Sequence, residues 1–167
     1  MKTRQTSTHQ PTQTSGRRME LRAREEVVRL MLQRLVVPNI YFDAAWPTPP
    51  VGVDMVAIDR AGSGDIHVFE FKSAASPTRA HVQRLLAMPG HYRWLVVVSR
   101  SDEEAAPVRR SMLEPPEGMG RLGLIEVEQD RTDKLHGRVT VPAERFGGSF
   151  YDLADQFTAA TKPDMVR

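Results

Sequence analysis

The sequence predicts an α/β domain with a mixed central sheet, and three observations carry that expectation. An amphipathic helix opens the ordered part of the chain, two short apolar strands flank a glycine-containing turn, and a later apolar run is typical of a strand buried on both faces. With 167 residues, 40% of them apolar, the chain matches the size of one domain and is long enough to bury a core.

Residues 1–18 (MKTRQTSTHQPTQTSGRR) are rich in Thr, Gln and Ser, and their one aliphatic residue is Met1. Such a segment buries too little surface to offset its ordering entropy, so it reads as a disordered basic tail. It has the Ser/Thr-rich, acid-free character of a transit peptide but not the amphipathic apolar face. From 19 the pattern changes, and 19–167 reads as a single domain. Leu21, Val28, Leu32 and Leu35, widened by Val27 and Met31, form an apolar helical stripe that Pro38 ends.

Three strand-like segments follow. Asn39–Trp46 carries Ile40, Tyr41 and Phe42 before a breaker cluster at Pro47–Pro50. Val51–Asp59 and Ile66–Lys72 flank Arg60–Asp65 (RAGSGD), whose glycines and aspartate favour a hairpin turn. Ser76 and Pro77 supply a capping residue and a first-turn proline for a helix over about Thr78–Met88. Trp94–Ser99 (WLVVVS) is the buried-strand run. Beyond it the pattern predicts a helix near Glu103–Leu113, a strand pair Leu122–Val127 and Gly137–Val141, and a final helix over Phe150–Thr161.

Composition excludes several function classes. There is no cysteine, hence no disulfide framework and no thiolate zinc site. No apolar run is long enough for a transmembrane helix, and the start lacks the apolar core of a secretory signal, so a cytoplasmic protein with no membrane partner is the expectation. No HExxH or phosphate-binding P-loop pattern occurs. The net charge of +2 is uneven. Lys2, Arg4, Arg17 and Arg18 give the tail +4, which leaves −2 for the rest, so charge alone does not indicate nucleic acid.

The chemistry-bearing residues lie on the predicted hairpin. Glu70 and Lys72 are two apart on one strand and therefore share a side, while Phe69 and Phe71 face the opposite, core side. Asp54 lies on the preceding strand among Val53, Met55 and Val56. One carboxylate on each of two paired strands, with the Phe71 carbonyl between, makes an oxygen-rich site for Mg²⁺ or Mn²⁺. Beside it, the Lys72 ammonium has the charge to orient a water and to stabilise a phosphorane. The same alternation also suits a solvated cross-strand pair. His67 falls on the core-side row with Phe69 and Phe71, which favours a structural role. His81 and His91 show no metal-ligand spacing.

Asp54 followed by Glu70-Phe71-Lys72, on adjacent strands after a helix, resembles the PD-(D/E)XK, or restriction-endonuclease-like, nuclease superfamily. The helix, three strands, helix, strand order over about 19–99 matches that family's core, and Pro115–Val127 (PPEGMGRLGLIEV) resembles a strand that follows it in several bacterial members. Residue 53 is Val, where the family's pattern has proline. The resemblance implies a restriction-endonuclease-like fold with an αβββαβ core and a divalent-metal-dependent nuclease acting on DNA. Asp54 and Glu70, with the Phe71 carbonyl, would hold Mg²⁺ or Mn²⁺, and Lys72 would position the attacking water. Many members add a first-helix glutamate. Glu25 is the choice here, on the line of Leu21, Val28, Leu32 and Leu35, with Glu20 and Glu26 as alternatives. Gln83 stands where some exonuclease-like members have a glutamine. The alternative is a catalytically inactive nuclease-fold module binding DNA or a partner protein. A chain this short would draw sequence specificity from a homodimer, a partner protein or the shape of its substrate.

Overall fold

The computed structural model describes residues 13–36, 38–45, 52–75, 79–113, 121–160 and 164, with backbone alone for 13–17 and 160. The elements run α1 (Gln13–Leu32), β1 (Pro38–Ala45), β2 (Gly52–Asp59), β3 (Ile66–Ser73), α2 (Arg79–Ala87), β4 (Tyr92–Ser99), α3 (Asp102–Leu113), β5 (Gly123–Gln129), β6 (Leu135–Val141) and α4 (Tyr151–Ala160). The chain is thus α/β, with a mixed sheet flanked by helices. Among the described residues no helix is long and apolar enough to cross a membrane.

Six strands lie side by side in sequence order. β1, β2 and β3 pair antiparallel, β3–β4 and β4–β5 are parallel, and β6 returns antiparallel on β5. Each parallel step needs a crossover connection, and α2 and α3 supply the two. The β2–β3 hairpin closes as its glycines predict. Gly64, at φ 73, donates its N–H to the Asp59 carbonyl at 2.8 Å, and a Cβ on Gly62 would lie 2.2 Å from the Asp59 carboxylate.

The sheet separates two apolar cores. On one face Ala23, Val27, Val28 and Met31 of α1 pack against Ile40, Met55, Ala57, Phe69, Phe71, Trp94, Val96 and Ile125. On the other, α2, α3 and α4 contribute Val82, Leu85, Val108, Met112 and Phe157 over Val56, Val68, Leu95, Val97 and Leu124. Tyr41 meets Phe157 edge to face at 4.8 Å, which seats α4 on β1.

Both outer strands are partly covered. Phe42 donates its N–H to the Asp164 carboxylate, and the Asp164 N–H bonds the Ile40 carbonyl. On β6, Gly137 donates its N–H to Glu26 Oε1 of α1 at 2.7 Å. These contacts satisfy main-chain groups that an edge strand would otherwise present for pairing.

Two sequence expectations need correction. The first helix begins at Gln13, so 13–18 are helical instead of part of a disordered tail, and residues 1–12 lie outside the described residues. Leu21, placed on the buried stripe, is 50% exposed. The helix turns the line of Ala23, Val27 and Met31 to the sheet, because side chains four apart stack on one face. The breaker cluster at Pro47–Pro50, the cap at Ser76 and Pro77, and residues 115–120 of the family-like segment lie outside the described residues.

Candidate active site

The site forms where β2 leaves β3. Their ladder ends with Met55 opposite Phe69. Continued in register, Asp54 would face Glu70. Instead the Asp54 side chain takes over from the main chain, and its Oδ2 accepts the Phe71 N–H at 2.8 Å. On its other edge β3 stays paired to β4 as far as Ser73. In an extended strand the N–H and C=O of one residue point the same way, so the Phe71 carbonyl faces the same opening as Asp54.

Glu70 is completely buried, yet two cations reach its carboxylate. Lys72 Nζ is 3.0 Å from Oε1, and an Arg84 guanidinium nitrogen is 2.8 Å from Oε2. Pairing of this kind is what permits a carboxylate to remain charged out of water. The two oxygens differ. Arg84 makes an aligned hydrogen bond to Oε2, whereas Oε1 has the Lys72 charge nearby but no donor directed at it. Arg84 also makes a long bond, 3.5 Å, to the Gly52 carbonyl at the start of β2.

A third cation approaches from α1. Arg24 binds Asp43 through two 2.7 Å hydrogen bonds and lies over the Phe42 and Phe71 rings, 5.7 and 5.8 Å from their centroids. Asp43 holds this position with φ 46, a left-handed conformation that aspartate tolerates better than most residues. Burial raises the Asp54 pKa from its ordinary value. The Phe71 hydrogen bond opposes the shift, the Glu70 charge adds to it, and Lys72 and Arg24 pull it back.

Asp54, Glu70, the Phe71 carbonyl and Lys72 are therefore assembled at one place. Glu25 is not with them. It is exposed and lines a hollow with Arg22, Glu26, Arg29, Lys134 and His136, on the β6 side of α1. At about 100° per residue Glu25 points roughly 160° away from Val27, whereas Glu20 points within roughly 20° of it. Glu20 is half-buried one turn before Arg24, and its charge acts on the Arg24 guanidinium. Glu26 is committed to Arg29 and to the Gly137 N–H. Gln83 is exposed on α2, and its neighbour Arg84 is the residue that reaches the site. The sequence reading missed Arg24, Asp43 and Arg84. The one available signal was that a Glu buried on the helix-covered face needs more compensation than a single lysine.

Histidine plays no part here. His67 is buried in the α1 core, its Nδ1 accepts the Trp94 indole N–H at 3.1 Å, and its ring stacks on Tyr92. His91, unexpectedly, is fully buried, and its Nδ1 accepts the Ile66 N–H at 3.0 Å.

The donor set fits a hard divalent cation such as Mg²⁺. It consists of two carboxylates and a carbonyl, all oxygen, with a buried Glu70 oxygen that lacks a hydrogen-bond donor. Among the described residues no group of three or more His, Cys, Asp or Glu could hold a metal, so such an ion would keep several waters or take substrate oxygens. Comparison of the chain with family models, curated protein sequences and solved structures finds no match.

Proposed function

We propose that the chain is a divalent-metal-dependent nuclease that hydrolyses phosphodiester bonds in DNA. One observation carries the reading. The Asp54 carboxylate is seated on the Phe71 N–H where β2 leaves β3, next to the Glu70–Lys72 ion pair. The choice of DNA and of a restriction-endonuclease-like core rests on the sequence resemblance.

Asp54, Glu70 and the Phe71 carbonyl would hold Mg²⁺ or Mn²⁺. A bound ion supplies Lewis acidity toward the phosphate and a more acidic water. The chain's own groups do the rest. Lys72, anchored beside Glu70, donates hydrogen bonds from its ammonium to the attacking water and to the phosphoryl oxygens as charge accumulates on them. The water oxygen bonds to phosphorus, the bond to the leaving sugar oxygen breaks, the water's proton passes to solvent and the leaving oxygen takes one up. Asp54 must be ionised to bind the cation, and its raised pKa makes cation and proton compete there.

A second reading has its own support. Arg84 and Lys72 already neutralise Glu70, as expected of an inactive nuclease-fold module that binds DNA or a partner protein. Cleavage of duplex, single-stranded and branched DNA with Mg²⁺ or Mn²⁺ separates the two. In the first reading wild type cuts, and Asp54→Ala and Lys72→Ala each lose roughly 100–1,000-fold. Retained DNA binding without turnover would favour the module, and cutting that survives both substitutions would reject the site.

A further inference from the structure

Glu70 carries one more cation than its own charge requires. Asp54, Glu70, Lys72 and Arg84 together are neutral, and Arg24 is cancelled by Asp43. A divalent cation on Asp54 and Glu70 would bring two further positive charges against Lys72 and Arg84. Within a partly buried site such repulsion is weakly screened, so one of the two must withdraw.

The two cations are not equally able to do so. Lys72 is on the same strand as Glu70, two residues along, with its side chain 22% exposed. Arg84 comes from a different element, α2, and its side chain is 48% exposed. Apart from Glu70, its one hydrogen-bond partner among the described residues is the Gly52 carbonyl at 3.5 Å, at the edge of hydrogen-bonding distance. Among the described residues, the guanidinium thus has solvent to move into and little else to break.

We propose that Arg84 is a displaceable counter-ion, a positioning residue that holds the Glu70 carboxylate until a divalent metal takes its place. The proposal rests on the metal-site reading above. Arg84 keeps a buried carboxylate paired and correctly aimed in the metal-free protein, at the cost of competing with the metal for Glu70 Oε2. Removing the competitor therefore tightens metal binding, whereas removing a merely structural contact would weaken it or leave it unchanged.

The test is direct Mn²⁺ binding, by calorimetry and by the electron paramagnetic resonance of free Mn²⁺, without any nucleic acid. Wild type, Arg84→Gln, Arg84→Met, Arg84→Lys and Asp54→Asn are compared, with circular dichroism to check folding. Arg84→Gln and Arg84→Met should bind Mn²⁺ roughly tenfold more tightly than wild type. Arg84→Lys, which keeps the charge, should stay close to wild type. Tighter binding by the neutral variants with a wild-type-like lysine supports the proposal, also where wild type binds too weakly to measure. Equal or weaker binding by folded Arg84→Gln and Arg84→Met overturns it, and if wild type still loses Mn²⁺ on Asp54→Asn the site itself stands. If neither wild type nor any Arg84 variant binds Mn²⁺, or Asp54→Asn binds it as well as wild type, the metal-site reading falls and the proposal with it.

Discussion

His67 shows what one buried titratable side chain does to the whole. Burial lowers its pKa from 6.5 to about 4, with the Asp65 charge opposing and His91 adding to the shift. The folded state therefore binds its proton less readily than the unfolded chain. The stability this contributes is complete above pH 6.5 and is lost as pH falls toward 4. Between pH 7 and 4.5 the loss should amount to roughly 2–3 kcal/mol, read as a falling urea midpoint. His67→Gln keeps an acceptor for the Trp94 N–H but cannot charge, so its midpoint should fall much less over that range. An unchanged pH dependence would show that His67 is not the group responsible. This residue was legible from sequence, since alternation with Phe69 and Phe71 places it in the core. Arg84 was not, because its partner Glu70 is remote in sequence and only the docking of α2 brings them together.

Among the elements, strands were read more easily than helices. Alternation has only two faces to choose between, so Glu70 and Lys72 were placed together without error. A helix offers a continuum. The line of Leu21, Val28 and Leu32 competes with the line of Ala23, Val27 and Met31, and a small alanine is a faint marker of the buried one. Choosing the first line rotated Glu25 inward, left Glu20 as no more than an alternative and left Arg24 unnoticed. β5 holds a comparable surprise. Its apolar run LGLIEV contains Glu126, which is 1% exposed and binds both Arg109 of α3 and Arg138 of β6. Asp102 at the start of α3 joins the same two arginines. Glu126 thereby ties a helix and an edge strand to the sheet interior. Glu126→Ala should cost about 1–3 kcal/mol in denaturant unfolding. That is less than the cost of breaking a fully buried pair, because Arg109 and Arg138 keep access to water. Hydrogen exchange should quicken first in α3 and β6. A variant as stable as wild type would mean that the cluster merely decorates the surface.

At the scale of the molecule, the sheet divides the chain into an α1 core and an α2–α4 core, and the candidate site lies where β2 parts from β3, within reach of α1 and α2. Element order foretold a mixed sheet flanked by helices, but the opening itself depends on where one ladder stops, which no local pattern encodes. A site that draws on both sides of the fold links metal binding to global stability. Asp54 and Glu70 are desolvated carboxylates when folded and solvated ones when unfolded, so a cation should bind the folded chain far more strongly. Mg²⁺ or Mn²⁺ at 100 times its dissociation constant then adds about 2.7 kcal/mol. For a chain of this length that corresponds to roughly 5–10 °C in the melting temperature. The shift should disappear in Asp54→Ala. It should also grow as pH rises through the raised Asp54 pKa, because the metal displaces a proton there. A shift of equal size in Asp54→Ala would place the metal elsewhere on the protein. No shift in wild type at millimolar metal would leave Asp54, Glu70 and Lys72 as a structural ion-pair cluster that pins β3 beside α2.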